Sequence, residues 1–298
     1  MSDLALAVDI GGTKLAAAVV DRAGQVLHRA QVPTQGVDDA GRTPVTSEDL
    51  WGRLASLVLD VADRTGEHRI VVCGVGCGGP MSVDGDDVSP LNIPQWRSFP
   101  LRAHLGELLG VPVFVDNDAK ALARGEGWLG AAAGGRNFMA MVVSTGVGGG
   151  IVLDGRLLGG RLGNAGHIGH VVVVPDGRRC ACGGYGCLEA EASGSAVAAI
   201  TSRPALFAPP EVVERTGMLV GRAIASVANL LDLPLAVVSG SVALGFGDPF
   251  FTAAQQEIKA RCGLEFARET TVVPGGLGDR GPLVGAAAVG WAGMDGLV

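Results

Sequence analysis

The sequence predicts an α/β protein made of two similar lobes, and three observations carry this expectation. Residues 4–10 read as a buried strand followed by a glycine turn and a second strand at 15–20, and the same succession recurs at 138–153, about 135 residues later. Apolar strands alternate with helical stretches along the chain. The 298 residues exceed one ordinary domain and suit two, and 48 % hydrophobic residues suffice to fill sizeable cores. The recurrence reads as a degenerate duplication whose halves face each other across a cleft; the alternative is coincidence between two glycine-rich hairpins.

In chain order, Asp21-Arg22-Ala23-Gly24 turns the second strand into a third that begins near Gln25, which makes an antiparallel meander. Thr46 or Ser47 caps a helix whose apolar face is Leu50, Leu54, Leu57, Val58 and Val61. Residues 69–75 form a strand, followed by a loop rich in Gly, Pro and Asp to about residue 94. A strand at 111–115 runs into Asp116-Asn117-Asp118 and a helix-like stretch at 119–128. In the second half, strands at 138–143 and 150–153 flank a glycine-rich turn at 144–149; residues 211–231 are helical, 235–238 a strand, and 282–291 a closing helix.

Composition excludes several classes of function. A net charge of −7 disfavours nucleic acid or an anionic membrane as the main partner. No apolar run reaches the ~20 residues that span a bilayer, and the opening Met1-Ser2-Asp3 lacks the basic region of a signal peptide. The expected location is the cytoplasm, where six cysteines, three of them close together, favour a metal over disulfides.

Four motifs carry chemistry. In Asp9-Ile10-Gly11-Gly12-Thr13-Lys14, glycines let backbone N–H groups face phosphate oxygens, Thr13 and Lys14 add a hydroxyl and a cation, and Asp9 suits the water shell of Mg²⁺; the same residues also suit a plain tight hairpin. The turn from Ser144 to Gly150, with Thr145, Gly146 and Gly148, has the same chemistry. Two such loops together describe a nucleotide clamped between lobes. Asp118, after a buried strand, is placed to take a proton from an attacking hydroxyl, with Asn117 able to donate to and accept from sugar hydroxyls; helix capping by this segment is the competing reading. His170, Cys180, Cys182 and Cys187 match a closed, structural tetrahedral Zn²⁺ site, the alternative being reduced, unligated thiols. Cys73, Cys77 and Cys262 lack ligand spacing and read as buried thiols.

These motifs, with Gly166 to His170 followed by Cys180-Ala181-Cys182-Gly183-Gly184-Tyr185-Gly186-Cys187-Leu188-Glu189, resemble the ROK family of sugar kinases and regulators over nearly the whole chain. The resemblance implies the actin/hexokinase-like (ribonuclease H-like) fold, with residues 1–117 and about 283–298 as a small N-terminal lobe and 118–282 as a large lobe carrying the zinc loop. It implies an ATP- and Mg²⁺-dependent phosphotransferase acting on the 6-hydroxyl of an aldohexose, with Asp118 as the base. Asn117, Asn92, Glu189, His170 and His167 would contact the sugar, together with Gly79 in the Cys77–Met81 loop. Gly240 would lie on the adenosine side, although Ser241 breaks the family's glycine run there. A homodimer or homotetramer is the family's expectation.

Two departures bear on the substrate. The family's kinases usually carry Glu-x-Gly-His where this chain has His167-Ile168-Gly169-His170, which removes a charge and acceptor positions; N-acetylmannosamine kinases of the family look similar here. The loop at Cys77-Gly78-Gly79-Pro80-Met81 stands where many relatives have Pro-Gly. Glucose and N-acetylmannosamine or another N-acetylhexosamine are therefore the expected substrates, with a catalytically weak sugar-sensing protein as the alternative. A DNA-binding repressor is disfavoured, because eight residues precede Asp9 and the chain is acidic.

Overall fold

Strand β1 (Asp3–Ile10) is buried along nearly its whole length, as a strand covered on both faces must be, and β2 (Lys14–Asp21) returns antiparallel to it. The computed structural model describes residues 2–35 and 45–297. β3 (Val26–Pro33) pairs antiparallel with β2; β4 (Arg69–Cys77) joins the other side of β1 in parallel, and β5 (Val113–Asn117) pairs parallel with β4. The order is β3-β2-β1-β4-β5.

Helix α1 (Ser47–Ala62) starts from a capping box in which the Thr46 hydroxyl accepts from the Asp49 N–H and the Asp49 carboxylate accepts from the Thr46 N–H. Its stripe of Leu50, Leu54, Leu57, Val58 and Val61 is buried and packs on β2 and β3. After the short α2 (Leu101–Leu109), helix α3 (Asp118–Leu129) begins at the residue after β5.

The second half repeats this plan. Its strands are β6 (Phe138–Val143), β7 (Val147–Leu153), β8 (Arg156–Leu157), β9 (Leu235–Ser239) and β10 (Thr271–Pro274), in the order β10-β9-β6-β7-β8. β6–β7 and β7–β8 are antiparallel while β6–β9 and β9–β10 are parallel, so read from β8 the sheet repeats the first strand for strand. The expected duplication is thus present in the topology. Its glycine-rich turn is shorter than expected, because Gly148, Gly149 and Gly150 lie inside β7 opposite Val142, Met141 and Ala140. Gly149 has a packing reason to be glycine: a Cβ there would lie 2.8 Å from the Ile168 side chain and 3.1 Å from the Ala140 carbonyl.

The helices of this half are α4 (Leu188–Ala192), α5 (Gly194–Thr201), α6 (Pro210–Leu231), α7 (Ser241–Phe246) and α8 (Asp248–Arg261), and α9 (Gly281–Met294) closes the chain. Two compact units result: 1–125 with 159–164 and 279–298, and 126–158 with 165–278. Each has its own apolar core, the first around Leu6, Leu54 and Trp96, the second around Met141, Ile224 and Phe250. α9 returns to the first unit and packs on β1, β4 and β5. Among the described residues no helix is long and apolar enough to cross a membrane.

Close approach between β4 and α9 underpins the first unit. A Cβ on Gly74 would stand 2.0 Å from the Ala286 carbonyl oxygen and 2.5 Å from the Gly290 nitrogen. A Cβ on Gly285, on the same helix, would stand 2.5 Å from the Ala121 carbonyl of α3. The glycines of α9 therefore seat both the strand and the helix that follows the Asp116-Asn117-Asp118 segment. Gly74→Ala should destabilise the protein by about 3 kcal/mol, because backbone rather than a movable side chain must shift. Chemical denaturation of parent and variant measures it; a cost below about 0.5 kcal/mol would show that the approach is dispensable.

Candidate active site and metal centre

In the first unit, parallel pairing sets the candidate residues side by side. Asp9 is level with Gly76, and Gly76 with Asp116; Ile10 is level with Cys77, and Cys77 with Asn117. The three strands end together, the position where α/β folds place small ligands. Gly76 lies between the two acids: a Cβ there would make ordinary contacts, 3.6 Å from the Asp118 Cα and 3.9 Å from Asp9 Oδ1.

Around this edge the structure gathers several of the expected residues. The Gly11 N–H donates to the Lys14 carbonyl and closes the first glycine turn; the Thr34 hydroxyl donates to the Gly11 carbonyl, and the Thr34 N–H to that of Thr13. A Cβ on Gly12 would fall 2.6 Å from the Asn92 Cβ, so only glycine lets the Asn92 loop lie against this turn. A Cβ on Gly79 would lie 3.6 Å from Asn117 Nδ2. Asn117 also serves as a cap, its Oδ1 accepting from the Ala119 N–H at 3.1 Å, while Asp118 Oδ1 accepts from the same N–H at 2.8 Å. The capping and site readings of this segment are therefore compatible, since the Asn117 amide nitrogen stays turned towards Gly79.

Sequence reasoning missed what steadies this segment. Asp116 is nearly buried and pairs with Lys120 Nζ at 2.9 Å, with Arg124 Nε 3.8 Å away on the next turn of α3. The spacings of four and eight residues are those of one helix face, a signal that could have been read. The electrostatics of the edge follow from burial. Burial pushes the Asp9 carboxyl up to about 7, repulsion from Asp118 adds to this, and Lys14 offsets part of it. Burial, with the Asp118 and Asp9 charges, also pushes the Cys77 thiol well up. Cys73 and Cys262 are buried thiols as well.

In the second unit, Ser144, Thr145 and Gly146 form the shortened turn between β6 and β7. It is pinned by the Gly194 N–H donating to the Ser144 carbonyl and the Ser195 N–H donating to that of Thr145. Glu189 lies against it: its Oε2 accepts from the Val147 N–H at 2.8 Å and would be 2.8 Å from a Cβ on Gly146. Gly240 has φ 102° and would place a Cβ 2.3 Å from the Val143 carbonyl, so it must be glycine, and the hydroxyls of Ser144 and Ser241 are 2.9 Å apart. Thr145, Gly146, Gly240 and Glu189 thus share the strand-end edge of this sheet. Gly148 lies in β7 beyond the turn.

His167 precedes a single 3-10 turn, Ile168–His170, seated on β7 through Gly169, whose Cβ would stand 2.2 Å from the Val147 carbonyl. The His167 and His170 rings are stacked with centroids 6.1 Å apart. His170, Cys180, Cys182 and Cys187 bring their ligand atoms within 4.8 Å of one another. The Cys180 Sγ–His170 Nδ1 and Cys182 Sγ–Cys187 Sγ distances are both 3.7 Å. A tetrahedron with Zn–S of about 2.3 Å and Zn–N of about 2.0 Å has edges of about 3.5–3.8 Å, which both separations match closely. The Gly184 N–H draws Cys182 below the ordinary thiol value, whereas burial and the neighbouring thiols push Cys187 up to about 12. Three adjacent thiolates require a positive charge among them. Behind the loop, buried Glu191 accepts from Arg215 Nη2 and from the Arg178 N–H, both at 2.6 Å, and fastens it to α6. This pairing spans 24 residues and had no sequence signal.

The fold and this donor set define a two-lobed α/β protein of the actin/hexokinase-like class with a Cys3His loop that fits zinc. The ROK family model matches residues 5–291, and the chain belongs to that family. It is 35 % identical over 288 residues to a glucokinase of Streptomyces coelicolor, covering 94 % of this chain and 84 % of the relative. It is 36 % identical over 260 residues to an N-acetylmannosamine kinase of Citrobacter koseri, covering 81 % of this chain and 84 % of the relative. Among solved structures, a ROK family glucokinase from Streptomyces griseus in complex with glucose and AMPPNP superposes with a TM-score of 0.81 at 30 % identity, covering 97 % of this chain and 99 % of that one.

Two predictions follow from the charges. Because the folded value of Asp9 lies above its ordinary 3.8, the folded chain keeps a proton that the unfolded chain releases; this stability is complete below pH 3.8 and is lost as pH rises towards 7. In metal-free buffer, Asp9→Asn should therefore gain on the parent by about 2–3 kcal/mol between pH 5 and pH 8. Urea midpoints at both pH values measure it, and a gap that does not change with pH would mean that the Asp9 charge is not penalised. For the second, stripping zinc with a chelator should lower the melting temperature by about 5 °C or more. Elemental analysis verifies the loss, and an unchanged melting curve after it would assign the thiols no structural metal.

Proposed function

We propose that the protein is an ATP-dependent hexose kinase that phosphorylates the 6-hydroxyl of glucose or an N-acetylhexosamine such as N-acetylmannosamine. The observation that carries this reading is the pair Asp9 and Asp118 on the open edge at Gly76, with Asn92, Asn117 and Gly79 adjoining, in a chain whose relatives are named as kinases of these sugars. A carboxylate at a strand end beside amide side chains suits recognition of a polyol and removal of one of its protons.

In this reading Asn92, Asn117, His167, His170 and Glu189 hold the sugar, with the Gly79 loop shaping its surroundings. Asp118 takes the 6-hydroxyl proton as that oxygen attacks the terminal phosphorus of ATP; the new P–O bond forms and the bond to the departing ADP breaks. Asp9, Gly11, Gly12, Thr13, Lys14, Thr145, Gly146, Gly148 and Gly240 serve the nucleotide through N–H groups, hydroxyls and one cation. Asp9 would hold Mg²⁺, which supplies charge neutralisation to the phosphates; its raised carboxyl next to Asp118 suits a cation. The zinc ligands keep the His167–His170 turn in place, and a homodimer or homotetramer accompanies this reading.

Coupled ADP release across glucose, N-acetylmannosamine, N-acetylglucosamine, mannose, fructose and allose tests it. Turnover is expected with glucose or an N-acetylhexosamine; no turnover on any, with sugar binding retained, would make the protein a sensor instead. Asp118→Asn should lower kcat about 10³-fold while calorimetry still detects sugar binding. Undiminished turnover in this variant would remove Asp118 from the reaction.

A further inference from the structure

The strap at residues 159–164 belongs by its packing to the first unit, although its sequence neighbours on both sides belong to the second. It reads Gly-Gly-Arg-Leu-Gly-Asn, with Gly160 and Gly163 at φ 74° and 76° and Leu162 exposed. Such a segment has little conformational preference and almost no apolar anchor of its own. What it has is a buried lysine. Lys120, 6 % exposed, donates from Nζ to the Gly163 carbonyl at 3.0 Å and to Asp116 Oδ1 at 2.9 Å. Lys120 lies two residues after Asp118 on α3, and Gly163 four residues before His167.

We infer that Lys120 is a positioning residue for sugar selection: its Nζ bond to the Gly163 carbonyl tethers the strap that leads into the His167–His170 turn. The inference rests on the kinase reading only in that His167 contacts the sugar. The charge balance fits this division of labour. Arg124 also faces Asp116, so the aspartate retains a cation nearby when Lys120 is replaced, whereas the Gly163 carbonyl loses its charged donor. A lysine that served only to neutralise Asp116 would have no need to reach the strap. In the second unit the His167 turn is gripped from below by Gly169 on β7, so slack in the strap would be felt at its entry, Asn164 to His167, before the zinc ligands.

Three variants test this: Lys120→Met, Lys120→Arg, and Asp116→Asn combined with Lys120→Met, which removes the tether together with the Asp116 charge that Lys120 pairs. Amide hydrogen exchange and steady-state kinetics are read for each. Exchange at residues 159–167 should quicken at least tenfold in both Met variants and not in Lys120→Arg, with the zinc content unchanged. The KM for sugar should rise about tenfold in both Met variants, the KM for ATP should stay within about twofold, and arginine should restore most of the sugar KM. Equal increases in both KM values, or a sugar KM that returns to normal in the double variant, would reduce Lys120 to a counter-ion and overturn the inference. So would unchanged exchange in the strap, a result that holds even if the parent turns over no sugar at all.

Discussion

Parallel pairing of β1, β4 and β5 brings residues 9, 76 and 116 to one level, and the chemistry of the first unit hangs on that register. A slip of one residue would turn Asp9 to the opposite face of the sheet and put a side chain where Gly76 leaves room. Burying Asp9 has a cost, visible in a carboxyl that titrates near 7 instead of near 4. A fold that minimised its own free energy would not place an acid there, still less within reach of the Asp118 charge. A buried carboxyl kept beside a second acid is an arrangement found at sites that handle protons or cations. The α9 glycines meet part of the structural demand by letting β4 and α3 pack at backbone distance.

Duplication yields the same sheet twice but not the same edge. In the first sheet the strand ends carry Asp9, Asp116 and Asn117, with Asp118 just beyond; in the second, the corresponding ends carry Ser144, Thr145, Gly240 and Ser241, neutral hydroxyls and bare backbone. Glu189 is the acid on this second edge, and one of its oxygens is committed to the Val147 N–H. The helices that follow differ too. After β8, the counterpart of β3, the second unit inserts the zinc loop before α4. Ile168 and Val173 anchor the start of this loop in the core, and zinc would hold its remainder, the glycine-rich stretch 176–187.

Much of this was legible in the sequence, for identifiable reasons. Strands such as 4–10 and 138–143 are unbroken apolar runs, and α1 has both a capping residue and a clean stripe. The zinc donors were legible because three cysteines within eight residues leave few alternatives. Other features depend on contacts that no local pattern encodes. Gly148–Gly150 look like a loop by composition, yet Gly149 is a strand residue made small by Ile168, which lies 19 positions away. Glu191 resembles any surface acid of a short helix until Arg215 is brought to it from α6. α8 carries only a few buried residues, Phe250, Ala254 and Ile258 among them, because Gly217 and Gly221 of α6 admit its backbone so closely that large side chains are unnecessary.

Asp116 and Asp118 show how far residue type alone falls short. They are two positions apart, equally acidic, and flank the same asparagine. Asp116 lies one residue before the end of β5 and faces α3, where Lys120 and Arg124 compensate its charge almost out of solvent. Asp118 opens α3, and its field is felt by Asp9 and by the Cys77 thiol. Passing from strand to helix between them, the chain turns Asp116 to Lys120 and Arg124, and Asp118 to Asp9 and Cys77. Exchanging the two roles would require moving two cations along the helix by two residues, which the 3.6-residue period forbids without turning them to another face.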